Sequence, residues 1–153
     1  MTKYQITDVL PHQYPMILID SLHAYNDESC TCQVTITTNS PFYNTNKQGV
    51  PTYIGSEYMA QSIAAYAGAQ ALDDNQEVSI GFLLGSRKFH ALQPEFPLNE
   101  TFTIYIKELY REDSGLRVFE CNITNTSNDM FAKANINVFQ PKDPKAFIAE
   151  SNQ

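Results

Sequence analysis

Apolar and polar residues alternate along CTCQVTITT at 30–38, where Cys30, Cys32, Val34 and Ile36 fall on one side of a period-two strand. Upstream, PMILIDSLHAY at 15–25 is an apolar run that reads as the first strand. Residues 3–10 read as a short helix or turn ended by Pro11. Four further segments of strand character follow late in the chain: VSIGFLLGSRKFHAL, TFTIYIKELY, LRVFECNITNT and MFAKANINVFQ. Turn signals at 94–100, 112–115 and 127–129 separate them, which predicts an antiparallel meander.

One segment breaks the strand pattern. From about Ile54 to Leu72 the length and alanine content predict a helix, preceded by a loop at 39–52 and stopped at Asp73-Asp74-Asn75. Ten of the twenty residues from Tyr53 to Leu72 are Ala, Gly or Ser, and Glu57 is the sole carboxylate among them. Small residues let a sheet approach closely, so the helix is expected to be enclosed, although alanine propensity or an oligomer interface would give the same composition. One long helix among about six strands implies an α+β layer with a curved antiparallel sheet over the helix. Residues 1–140 are expected to form a single domain and 141–153, with two prolines and little periodicity, a C-terminal tail.

Composition narrows the functional classes. The 42% hydrophobic and 18% charged residues are ordinary for a globular chain, and 153 residues suffice to bury roughly two-thirds of the unfolded surface. A net charge of −7 opposes attraction to phosphate backbones, so no nucleic-acid partner is expected. The N-terminal stretch lacks a basic segment followed by an apolar run, which points to the cytoplasm, and no apolar run approaches the roughly 18 residues of a membrane span. Cys30, Cys32 and Cys121 lack paired zinc spacing and read as small core residues, with a redox role as the alternative.

Candidate chemistry centres on Glu57. It shares a helical face with Gln61, four residues on, and a polar pair on an enclosed helix must find partners. Burial would raise the carboxylate's proton affinity and the helix start would lower it, a tension common at proton-transfer sites. A first-turn glutamate favoured by the helix dipole alone is the competing reading. His12 sits in LPHQYP, fixed between two prolines, as a second candidate. His23 and His90 read as surface or strand-edge residues. Arg87 and Lys88 form either a docking point for an acidic partner or a solvated pair. No nucleophile elbow, phosphate loop or dinucleotide fingerprint is present.

LPHQYPMILID at 10–20 and EYMAQ at 57–61 together resemble two motifs of the hotdog-fold β-hydroxyacyl-acyl-carrier-protein dehydratases, whose corresponding stretches read LPHRYPFLLVD and EAMAQ. The similarity extends through FLLGSRKFHALQPEFPLNE and looks closest to dehydratase-like proteins of bacterial aryl-polyene gene clusters. It implies a hotdog fold and removal of water from a 3-hydroxyacyl thioester, in fatty acid or polyene biosynthesis. By resemblance Glu57 is the catalytic acid and Gln61 helps hold the site. Backbone N–H groups near Thr52 and Tyr53 would bind the thioester carbonyl. The family's GHFP histidine is absent, and an ungapped count back from Glu57 reaches Tyr43 in PFYNTNKQGVP. His12 is the substitute base implied by its place in a matching motif, and Tyr43 is a candidate for positioning substrate or water. The same scaffold also suits an acyl thioesterase or a non-catalytic acyl-binding subunit of a heteromeric dehydratase. No resident cofactor is implied, phosphopantetheine arriving on the substrate's carrier. The partners implied are an acyl carrier protein or a coenzyme A thioester, docked by Arg87 and Lys88, and a second hotdog subunit, identical or related.

Overall fold

The computed structural model describes residues 4–11, 16–78 and 82–139, with only the backbone at 82–84, 86 and 87. In chain order the elements are α1 (Ile6–Val9), β1 (Ser21–Tyr25), β2 (Ser29–Thr35), β3 (Gly49–Pro51), a 3-10 turn (Thr52–Ile54), α2 (Gly55–Asp73), β4 (Phe82–Ala91), β5 (Glu95–Pro97), β6 (Thr101–Arg111), β7 (Leu116–Thr124) and β8 (Met130–Phe139). Six strands form one antiparallel sheet in the order β1-β2-β6-β7-β8-β4, and β3 pairs with β5 as a separate ribbon. The fold is α+β, with one long helix against the sheet. The tail expected at 141–153 lies outside the described residues.

The alternation in β2, β6 and β8 sets one face inward, so that Cys32, Val34, Ile104, Ile106, Ala134 and Ile136 are buried under α2. The three cysteines are buried and free, with the Cys30 and Cys32 sulfurs 3.8 Å apart, and burial raises the Cys121 thiol above its ordinary range. α2 is enclosed as its small residues predict. Glu57 is its only exposed residue before Asp73. At Gly68 a methyl group would collide with the carbonyl of Val9, so glycine is what allows α1 to lie across the helix. Tyr58, Phe96, Phe102 and Phe131 form an aromatic cluster with centroids 4.9–6.0 Å apart, which ties α2 to the ribbon and the sheet.

Three sequence expectations need correction. The apolar run at 15–25 forms a strand only from Ser21; Ile17 and Ile19 are buried outside any strand, because Met16 and Leu18 bond to a helix side chain instead of a neighbouring strand. The meander holds for β6–β7–β8, but β4 joins the sheet at its far edge, beside β8. The chain between β4 and β6 is diverted into the β3–β5 ribbon, so β4 and β6 never become neighbours. Finally, the stretches at 49–51 and 95–97 read as loop and turn, yet pair through Val50 and Phe96, both fully buried.

Candidate functional site at the head of the central helix

The carboxylate of Glu57 has no hydrogen bond or ion pair among the described residues. It stands in the first turn of α2, where the unpaired N–H groups of a helix start favour negative charge. Four residues before it, Tyr53 is 68% exposed; four residues after it, Gln61 is buried. Tyr53, Glu57 and Gln61 thus line one helical face.

Gln61 has a definite task. Its Nε2 donates to the carbonyl of Met16 at 2.7 Å, and its Oε1 accepts the N–H of Leu18 at 2.8 Å. One side-chain amide therefore satisfies two backbone groups of a segment with no strand partner, pinning residues 16–18 beside the helix one turn beyond Glu57.

Thr52 is likewise occupied. Its N–H donates to the carbonyl of Pro94 at 3.0 Å and its hydroxyl to the carbonyl of Gln93 at 2.5 Å. The N–H expected to face a substrate carbonyl is already bonded, and Thr52 serves to fix the 3-10 turn to the β4–β5 connection. The N–H of Tyr53 has no acceptor among the described residues and is the open donor at this end of the helix.

The remaining candidates are placed unevenly. His12 lies outside the described residues, four positions before the pinned Met16. His23 is exposed on β1 and His90 on β4, and neither pairs with Glu57. Tyr43 packs against the core from the loop that the Asn44–Gly49 bridge ties to β3, directly ahead of Thr52. Lys88 is exposed in β4, while for Arg87 only the backbone is described, paired with Asn135. Among the described residues no group of three or more His, Cys, Asp or Glu could hold a metal ion.

Sequence reasoning passed over Tyr58. Its hydroxyl is buried without a hydrogen-bond partner among the described residues; burial pushes the phenol pKa well up, and the charge of Asp20 adds to the shift. Gln93 and Pro94 were also missed as anchors of Thr52, because backbone carbonyls carry no signature in a sequence.

A curved sheet over one enclosed helix, with an unpaired acid and an open N–H at the helix head, defines a hotdog domain carrying a candidate acyl-thioester site. The chain belongs to the ApeP-like dehydratase family, whose model matches residues 4–149. It is 29% identical over 109 residues, 69% of this chain and 68% of the relative, to the 3-hydroxyacyl-[acyl-carrier-protein] dehydratase FabZ of Methylobacterium nodulans. Among solved structures it matches the dehydratase heterocomplex ApeI:P from Xenorhabdus doucetiae with a TM-score of 0.89 and 26% identity, covering 99% of this chain and 100% of that one. A hypothetical thioesterase from Streptococcus pneumoniae, solved with coenzyme A, shares the fold at a TM-score of 0.63 and 15% identity, over 78% and 84% of the two chains. No helix among the described residues is long and apolar enough to cross a membrane.

Proposed function

We propose that the chain takes part in the dehydration of a 3-hydroxyacyl thioester, carried by an acyl carrier protein, to the trans-2-enoyl thioester, in fatty acid or polyene biosynthesis in the cytoplasm. The observation that carries this reading is Glu57, the one exposed position on the central helix before Asp73, without a partner among the described residues and one turn beyond the open N–H of Tyr53. In the elimination a base removes the C2 proton, the double bond forms between C2 and C3, and protonated Glu57 delivers its proton to the departing hydroxyl as water. The Tyr53 N–H stabilises the negative charge that grows on the thioester oxygen. Tyr43 helps to position the substrate from the adjoining loop.

A second hotdog subunit completes the site in this reading. Tyr53 at 68% exposure stands one turn before Glu57, and Met16 at 65% exposure lies in the segment that Gln61 pins one turn after it; a covering subunit would bury both. It would also exclude water from the carboxylate, sheltering the elimination from bulk solvent. The resemblance to a dehydratase heterocomplex supports a related partner over an identical one. The base is an imidazole, either His12 or a histidine of the partner. Arg87 and Lys88 meet the acidic carrier.

Mass spectrometry of a 3-hydroxyacyl-pantetheine thioester incubated with the chain and its partner subunit tests the proposal. Loss of one water is expected. Release of free acid instead identifies a thioesterase, and water loss that survives Glu57→Gln in this chain identifies a non-catalytic subunit; either result overturns it. The His12→Ala variant then locates the base: dehydration that persists assigns it to the partner.

A further inference from the structure

A recess of about 250 Å³ opens on the outer face of the sheet, where β4, β8 and β7 run side by side. Its walls carry Lys88 and His90 from β4, Lys133 and Asn135 from β8, and Glu120 from β7. This is the side away from α2, since these residues alternate with Phe89, Ala134 and Cys121, which pack inward. A bulge produces it. Arg87 pairs with Asn135 and His90 with Lys133, so three steps on β4 answer two on β8, and Lys88 takes a left-handed conformation at φ 55°. A lysine held at positive φ costs local stability, which a protein tolerates more readily where the backbone re-aims a useful side chain.

Charge tells what the recess would hold. Two lysines and a histidine meet there in a chain of net charge −7, and none of the three side chains has a hydrogen bond or ion pair among the described residues. Glu120, though it lines the same space, pairs with neither lysine. The two ammonium groups therefore converge without an ion-pair partner among the described residues, beside the His90 ring and an Asn135 amide that can donate as well. A space of this size is smaller than pockets for drug-sized ligands and suits one compact oxyanion with its waters.

We propose that this recess binds a phosphate group, held by Lys88, Lys133, His90 and Asn135. The recess lies on the face of the sheet away from α2, whose first turn carries Glu57. The phosphate of a pantetheine arm and free phosphate share the recognised chemistry.

The test titrates the full-length, isotope-labelled chain with inorganic phosphate, with 4′-phosphopantetheine and with pantetheine lacking the phosphate, following backbone amide resonances. The expected result is saturable shifts at residues 88–90, 133 and 135 with both phosphates and none with pantetheine. Tighter binding of phosphopantetheine assigns the site to the carrier arm, and equal binding assigns it to free phosphate. Lys88→Glu with Lys133→Glu should weaken binding by about tenfold or more, and high salt should weaken it in the parent chain. Glu120→Gln should tighten it by about two- to threefold, a gain that misfolding cannot imitate. Non-saturating shifts, equal binding by the double variant, or shifts with pantetheine alone overturn the proposal.

Discussion

The two ends of α2 treat charge in opposite ways. At the tail end, Asp73 accepts hydrogen bonds from Tyr4 at 2.7 Å and Tyr25 at 2.6 Å, one on each oxygen. Nearby, buried Arg117 donates to Glu108 at 2.6 Å and lies over the rings of Tyr66 and Phe119. Arg111 reaches the same carboxylate at 2.9 Å, and the Tyr66 hydroxyl donates to the carbonyl of Asp27. At the head end, Glu57 has no such partner among the described residues. A paired charge fixes its neighbours and is unavailable for chemistry; an unpaired one at a helix start adds little to the fold and remains free to exchange a proton.

The largest effect that this contrast predicts is at Glu57. Glu57→Gln should lower dehydration, measured with the partner present, by about 10²–10⁴-fold while changing stability by no more than about 0.5 kcal/mol. A large drop in melting temperature would make the head-end charge structural and erase the distinction.

Next comes Arg117. Arg117→Met leaves half-buried Glu108 with only Arg111 as its partner and should cost about 2 kcal/mol by thermal or denaturant unfolding. Burial alone would raise the Glu108 pKa, but hydrogen bonds from Arg117 and Arg111 outweigh it and hold the carboxyl below its usual range. Its contribution to stability is therefore complete above the unfolded value, about 4.3, and fades as pH falls through the lower folded value. Glu108→Gln should flatten that part of the acid unfolding curve, and an unchanged slope would show that the pair does not hold the tail end.

The smallest effect is expected at Asp73. Asp73→Asn leaves one tyrosine without an acceptor and should cost about 1 kcal/mol. Burial first, then the Asp73 carboxylate, raises the Tyr25 phenol pKa, so the substitution should bring it back toward its ordinary range in an ultraviolet titration. No movement would mean that Asp73 does not govern Tyr25.

Much of this architecture was legible in local patterns. Cys30, Cys32, Val34 and Ile36 alternate in sequence and all four are buried. The small residues of α2 announced a close approach, realised where Gly68 meets Val9. Glu57 and Gln61 stood out through spacing and motif. The β3–β5 ribbon did not, because three-residue strands carry too little periodicity to register. Nor did the pairing of β4 with β8, which depends on where the ribbon carries the chain. Thr52 matched a motif position by count, yet its N–H is engaged at Pro94, more than forty residues away. The grouping of Lys88 and His90 with Lys133 follows from strand register, which side-chain pattern alone does not specify across the sheet.

By itself the sequence determined the elements with strong periodicity, the enclosed character of the central helix and the acid at its head. These are local properties, set by side-chain size, branching and spacing within a few residues. Only the tertiary structure decided that Gln61 would clamp Met16 and Leu18, that Thr52 would be spent on Gln93 and Pro94, and that the tail end would neutralise its charges while Glu57 would not. Each of those outcomes depends on partners distant in the chain, and hydrogen bonds of 2.5–3.0 Å exist only once the sheet order has brought their atoms together.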